Sequence, residues 1–577
     1  MKKKTKKRIK RFLFWLLFII LFLVGGVSLV AYYYGNRILK GYVIRTIETE
    51  SKGLYHAEIR GLHINLLIGR ISLTGFRLVP DTVVYNRLKK EEPLSPMLFT
   101  AGIEKFRVLG LDFKKAILYK EISIRRIDIE NPDIVIRMYP SPVEPKDTST
   151  THRMLAVPLP KALVSISIGH VKLKDGKLTV IDAVKTPADT FLIPRINVLV
   201  TNFLVDSVHQ GKRRIFNSDD ITLSLSGLKI KTKNGMYRIS SGEIRLSTGR
   251  SEAWIGDLKI EPLYSEHDFS RKLGYQTDRM NIAIGRIAMH GLDLRQAMIH
   301  LKIIALCVEI DKLNVDNYRD KRVPARKNFF PPLPHQALMK AKVYLRIDSV
   351  TVTEGKVSYS EQVGNEPGRL FFDRISGTIL NMTNDTEMIR INKTVMSAEA
   401  ILYLMVKGKL WARIDFPLGA KQDAFTFTGR LDRMELKEIN PMVTRLAPAE
   451  ILGGTITSLY IPPVRATDHV AKGTLDFRYT DLEFHIKTEK TTGWSTFKNK
   501  VLNFAAGIYV VNNNPNNDGK LTEGIIYFER DRTKGIFNYL WKSTFSGLKS
   551  AMHVNTKEQK EIKKEKRKES RKARKKE

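Results

Sequence analysis

The chain has 577 residues, a hydrophobic share of 43% and a net charge of +37 at neutral pH. That length exceeds one ordinary domain, and that apolar share excludes a wholly disordered chain. A single cysteine, Cys307, excludes any intramolecular disulfide, so stability rests on sheet pairing and burial.

Residues 2–11 carry eight Lys or Arg and no acid, and Phe12 to Tyr34 then runs 23 residues without a charge. At ~1.5 Å per residue such a helix crosses a ~30 Å hydrocarbon core. We expect a basic stub at 1–11, a single transmembrane anchor at 12–34 and an exported body, because the basic flank stays cytoplasmic. A cleaved signal peptide is the competing reading, but its apolar region is shorter and ends in small residues. Here the run ends in Tyr32, Tyr33 and Tyr34, which suit a membrane interface.

Beyond Gly53 the apolar pattern has period two. Val164, Ile166 and Ile168 alternate with Ser165 and Ser167. Ile221, Leu223 and Leu225 do the same, as do Met396 through Leu402, Leu404 and Val406. Such alternation places one apolar row on one face of a strand. Asp175-Gly176 and Glu354-Gly355 read as hairpin turns between strands. Few helical stretches occur between 53 and 430, so the body is expected to be mainly β and antiparallel.

The chain repeats itself. Ile103–Leu118 lies over Ile284–Ile299, with Gly110-Leu-Asp112 matching Gly291-Leu-Asp293. Pro158-Leu-Pro160 meets Pro332-Leu-Pro334, Ile168–Leu178 meets Ile347–Val357, and Leu78-Val-Pro80 meets Ile260-Glu-Pro262. The offset stays between 174 and 182. We therefore expect one β repeat over 53–215 and a second over 216–388. Pro-rich loops are expected at 140–160 and 320–335.

A third section, 389–534, is expected to hold long strands near 396–416, 424–436 and 472–487, a helix at 494–510 and a strand at Gly524–Arg530. An amphipathic helix follows over 535–556, with Phe537, Leu540, Trp541, Phe545 and Leu548 apolar and Lys542 and Lys549 polar. Residues 557–577 form a basic low-complexity tail, frayed helix or disordered, with twelve Lys or Arg against five acids.

The catalytic motifs searched for are absent: HExxH, GxSxG, the P-loop, CxxC and the Rossmann glycines do not occur. His56 with His63, His290 with His300, and His469 with His485 have no metal-ligand spacing. We expect no catalytic residues, no cofactor and no metal, hence no enzyme. Nucleic acid is not an expected partner of an exported chain. The physical question is what covers the apolar face of the sheet. Either the sheet closes on a dry core, or it curls into an open trough covered by lipid acyl chains, at ~0.8 kcal/mol per buried CH₂. Period-two patterning fits both.

Three stretches give the chain a resemblance. They are the basic stub and span with Tyr55–Ile59 and Leu66–Leu78; then Gly429–Pro441, Ile451–Ile456 and Lys472–Leu482; then Gly524–Arg530 with Phe537–Ser543 and Phe545–Lys549. Together they make the chain resemble the AsmA-like proteins of diderm bacteria, relatives of bridge-like lipid transporters. The resemblance implies a cytoplasmic N-terminus, an inner-membrane anchor and a periplasmic body. That body would be an elongated, curled, taco-like antiparallel β groove with short C-terminal helices. It also implies binding of phospholipids and assistance to their transport to the outer membrane or to its biogenesis, with no catalytic residues. On this reading Val164, Ile166, Ile168, Leu345, Ile347, Leu402, Leu404 and Val406 are the groove candidates. Phe537, Trp541, Phe545, Lys542 and Lys549 are candidates for contact with a second membrane, the inner leaflet of the outer membrane. The alternative is a non-enzymatic envelope scaffold with a closed, dry β core that binds other envelope proteins.

Overall fold

The computed structural model describes residues 40–65, 68–91, 97–139, 163–184, 189–206, 217–420, 423–446, 449–486, 511–553 and 556–573. The expected anchor at 12–34, the helix at 494–510 and the loop at 140–160 lie outside them. Among the described residues no helix is long and apolar enough to cross a membrane. The protein is mainly β and mostly antiparallel. Residues up to Ile230, with Ile239–Gly256 and Asp293–His300, belong to one compact unit; the remainder belongs to a second.

In the first unit, helix α1 (40–50) precedes β1 (Tyr55–Asn65), β2 (Arg70–Pro80), helix α2 (Thr82–Glu91) and β3 (Met97–Leu111). Then come helix α3 (Phe113–Leu118), β4 (Glu121–Glu130), β5 (Asp133–Met138), β6 (Ser165–Asp182), β7 (Asp189–Asp206) and β8 (Asp220–Ser226). The short β9 (Lys229–Lys231) and β10 (Tyr237–Ser240) lead to β11 (Glu243–Ser247) and β12 (Glu252–Pro262); residues 231–238 and 257–262 belong to the second unit. Neighbours pair antiparallel in the order β1, β2, β3, β4 with β5, then β6, β7, β8, β11 and β12. The exception is β6, which runs parallel to β4 and β5.

The second unit continues through helix α4 (Glu266–Leu273), β13 (Asp278–His290), β14 (Lys302–Asp320), β15 (Tyr344–Gln362) and β16 (Pro367–Thr383). It ends with β17 (Val395–Leu404), β18 (Gly408–Pro417), β19 (Phe425–Leu431), β20 (Met434–Glu435), β21 (Ala449–Ala466), β22 (Val470–Ile486) and β23 (Gly524–Glu529). Among the described residues there, only the β14–β15 pair is parallel. Between β13 and β14 lies α5 (Leu294–His300), which belongs to the first unit, and a crossover carrying α6 (Pro334–Met339) makes the parallel pair possible.

The run β2–α2–β3–α3–β4/β5–β6–β7 thus has the same element order as β12–α4–β13–α5–β14–β15–β16, with the parallel pair at the same place. The Gly-Leu-Asp signature shared by the two runs has a physical cause. Gly110 and Gly291 take left-handed φ of 67° and 61°. Leu111 and Leu292 are buried. Asp112 accepts from Lys115 N at 2.9 Å and Asp293 from Gln296 N at 2.9 Å, each capping the helix that follows.

Two turn expectations are overturned. Asp175-Gly176 and Glu354-Gly355 lie inside β6 and β15, where the pairing register shifts. Asp175 and Glu354 each have φ of 52°. A left-handed residue followed by Gly serves a bulge as well as a hairpin, so the dipeptide alone does not decide. Conversely, 396–416 is not one strand. Met405 and Val406, at φ 50° and 68°, turn the chain between β17 and β18, with Lys407 N donating to Leu404 O.

Alternation also breaks phase inside strands. Buried Ile122 and Ile124 are followed by Ile127, Ile59 by Leu62, and Val108 by Leu111, all in one apolar cluster. The inward row resumes three positions on instead of two. Gly110, Arg125, Gly169 and Asn202 sit at one such level across β3, β4, β6 and β7. A Cβ on Gly110 would lie 2.8 Å from the Cβ of Arg125. Replacing Gly110 by Val is therefore expected to cost about 2 kcal/mol or more, from backbone strain and overpacking. Asp112→Ala should cost about 1 kcal/mol through the lost cap. Urea unfolding of the purified protein measures both.

Candidate functional site

The first unit has two different apolar surfaces. Under α1, residues such as Val43, Ile47, Ile59, Val108, Ile124 and Ile166 form a dry cluster. Across β6, β7, β8 and β11 the register lines up three further rows. These are Val171, Val200 and Ile221; Leu173, Val198, Leu223 and Leu246; and Ile196, Leu225 and Ile244. All ten side chains are half-exposed and none is buried. Their strand neighbours on the other face are polar, among them Lys172, Lys174, Asn197, Thr222 and Ser224, with the exposed Leu199 as the exception. This is an amphipathic sheet whose apolar face is incompletely covered by the described residues. Fully burying a Val, Leu or Ile gains about 1.5–3 kcal/mol each, so such a face favours an apolar occupant.

The second unit shows the same contrast. Phe416, Phe425, Val464, Ala466, Leu475 and Tyr479 belong to a dry cluster. Val315, Val357, Phe372 and Leu404 form a half-exposed row across β14 to β17, joined by Leu402 and Leu410.

The predicted groove residues separate accordingly. Ile166 and Ile168 are buried in the first cluster. Ile347 is buried beside Ala305 and Met382, and Leu345 packs partly against the second cluster. Leu402 and Leu404 lie on the half-exposed row. Val164 precedes β6 and Val406 lies in the turn; both are exposed. Sequence reasoning placed Ile221, Leu223 and Leu225 on a strand face without naming them as site residues. Their alternation was visible, but the absence of a covering layer was not.

The C-terminal segment forms α9 (Ile536–Ala551) and α10 (Lys557–Ala573); helices α7 (Thr386–Asn392) and α8 (Asn440–Leu446) lie earlier. Helix α9 splits the expected apolar side. Leu540 and Leu548 pack against the second cluster. The face toward the sheet is otherwise small and hydroxylated: Ser543, Ser546, Gly547, Ser550 and Ala551 are buried, with Tyr539. Burial pushes the Tyr539 phenol up, and its hydroxyl donates to Thr467 O at 3.1 Å. Phe537 is 79% exposed and Trp541 49% exposed, so the largest apolar groups face outward. Trp541 stacks on Phe545 at 5.8 Å between centroids. Lys542 and Lys549 place ammonium groups 6.0 and 5.4 Å from the Phe545 ring. Burial and the nearby Lys542 charge push the Lys549 amine down. The result is an aromatic stripe at i, i+4 and i+8 flanked by lysines.

The inward serines have a purpose. Strand β23 pairs with β22, and its other edge meets α9. Ser550 Oγ accepts from Ile525 N at 3.0 Å and Ser546 Oγ from Tyr527 N at 3.3 Å. Gln559 exchanges hydrogen bonds with Thr556, closing a capping box at the start of α10, and its amide donates to Ile525 O at 2.6 Å. The tail expected to be frayed or disordered is thus helical over 557–573, tied down by one buried glutamine.

The histidine pairs do not assemble into a metal site. Instead His56 meets Glu48 at 3.2 Å and Asp81 at 3.6 Å, and its hydrogen bond to the Glu48 carboxylate raises its pKa. Among the described residues no group of His, Cys, Asp and Glu could hold a metal ion. Cys307 is a half-buried free thiol. The chain matches no family model and no curated protein sequence.

Gln559→Ala leaves the buried Ile525 carbonyl without this donor. It should cost about 1–3 kcal/mol and release α10 first. Hydrogen exchange of residues 525–573 checks this.

Proposed function

We propose that this chain is a membrane-anchored envelope protein whose β body binds lipid acyl chains and assists phospholipid movement toward the outer membrane. The observation that carries the reading is the half-exposed apolar face on β6, β7, β8 and β11, whose other face is polar except for Leu199. A soluble sheet of this kind lowers its free energy by taking up something apolar, and acyl chains fit strands lined by aliphatic residues. In this reading the curled groove runs along that face, the segment 12–34 holds the chain in the inner membrane and the body lies in the periplasm. Phospholipids are the ligand, and no cofactor or catalysis is involved. The outward stripe on α9 contacts an anionic lipid surface, with aromatic rings at the interface and each nearby lysine contributing ~1 kcal/mol. The dry clusters are what a closed scaffold would also have, and they support the alternative of an assembly protein.

Leu223 and Leu246 are half-exposed, so charge there should not unfold the protein. The wild-type chain in mild detergent is expected to carry phospholipid by native mass spectrometry and lipid extraction. Leu223→Asp with Leu246→Asp should lose most of it while keeping the wild-type unfolding midpoint. A lipid-free, stable wild-type body would instead favour the scaffold. Separately, Phe537→Ser with Trp541→Ser should weaken binding to phosphatidylglycerol vesicles at least about tenfold in flotation, from the lost apolar burial. Unchanged flotation would remove the α9 contact.

A further inference from the structure

The second unit holds a small polar cavity of about 140 Å³, lined by Phe330, Pro331, Pro332, Gln336, Lys340, Asp468, Arg530 and Arg532. Its wall has three cations and one carboxylate. The Arg530 side chain is only 2% exposed. One of its terminal nitrogens pairs with Asp468 Oδ1 and the other donates to Pro331 O at 2.8 Å. Its Nε is buried without a partner. Asp468 is already shared: Arg532 Nε lies 3.1 Å from Oδ2, and Gln336 Nε2 donates to Oδ1 at 3.2 Å. The same Gln336 amide donates to Asp423 at 2.9 Å, and Asp423 is not part of the cavity wall. Arg532 leans over the Phe330 ring at 5.9 Å.

One carboxylate therefore serves two guanidinium groups, and Lys340 adds a third positive charge. A buried guanidinium with an unpaired nitrogen is costly unless an anion compensates it. At ~30 Å³ per water the cavity has room for about five waters, enough for one tetrahedral oxyanion. Guanidinium forks and a lysine are the groups that recognise phosphate.

We propose that this cavity is a phosphate-binding site, held by Arg530, Arg532 and Lys340. Two sources share the chemistry: inorganic phosphate and the phosphodiester of a lipid headgroup, the second resting on the lipid-binding reading above. The full chain in neutral detergent is unfolded thermally in phosphate and in chloride at matched ionic strength. Phosphate should raise the midpoint of the wild type. Arg532→Gln with Lys340→Gln should at least halve that rise; both residues are exposed, so the pair should fold. Glycerophosphoglycerol, a headgroup without acyl chains, is the second probe. A rise with it as well identifies a headgroup site; a rise with inorganic phosphate alone identifies a free-phosphate site. No rise with either probe, or a rise equal in wild type and variant, overturns the proposal. Neither probe carries an acyl chain, so this failure is separate from a loss of co-purifying lipid.

Discussion

A sheet with one apolar face and one polar face is stable in water only if something covers the apolar one. Among the described residues no helix exceeds 17 residues, and those that pack do so locally. Helix α1 lends Val43 and Ile47 to the first cluster, and α9 lends Leu540 and Leu548 to the second. Over β7, β8 and β11 the described residues provide no comparable lid, and Val198, Leu223 and Leu246 stay half-exposed. The rest of the structure is arranged around that shortage. The two dry clusters include residues of α1 and α9, whereas the row across β7, β8 and β11 is half-open.

The duplication makes the same geometry twice. A left-handed glycine, a buried leucine and a capping aspartate end one strand and start a short helix at Gly110-Leu111-Asp112 and again at Gly291-Leu292-Asp293. The strand after that helix then pairs in parallel with the strand beyond the crossover. Bulges at Asp175 and Glu354 recur at the same place in the two long strands. Extra residues in a pleated strand bend it and increase its twist, so a matched set of phase breaks bends neighbouring strands together without losing their pairing. The apolar row survives the bend because each strand skips a position at the same level.

Helix α9 reverses the usual partition of a surface helix. Its small residues face the sheet because they must approach β23 closely: a Cβ on Gly547 would lie 2.6 Å from Leu475 and 2.7 Å from Ile526. Its serines replace the strand that β23 lacks, accepting from backbone N–H groups where ladder bonds would have formed, which also shields a sheet edge from pairing with another chain. Tyr539, Leu540 and Leu548 fill the rest of the inward side, and Phe537 and Trp541 face outward. One geometric demand accounts for both the polar interior contact and the exposed aromatic stripe.

The sequence by itself determined the mainly β class, the lack of any disulfide within the chain and the twofold repetition. These follow from residue identity and spacing alone: alternation at period two, one cysteine, and matched motifs at a steady offset. It also located the C-terminal helix. Tertiary structure decided which face of that helix is buried, because the amphipathic period is read without knowing that Ser546 and Ser550 meet a strand edge. It decided that Asp175-Gly176 and Glu354-Gly355 bulge within strands instead of turning, since a left-handed residue suits either and only the partner strand selects. It decided that Ile166 and Ile347 are buried while Leu223 and Leu404 are half-open. All four sit in equivalent alternating patterns, and burial depends on what long-range contacts place over each one, which local sequence does not encode.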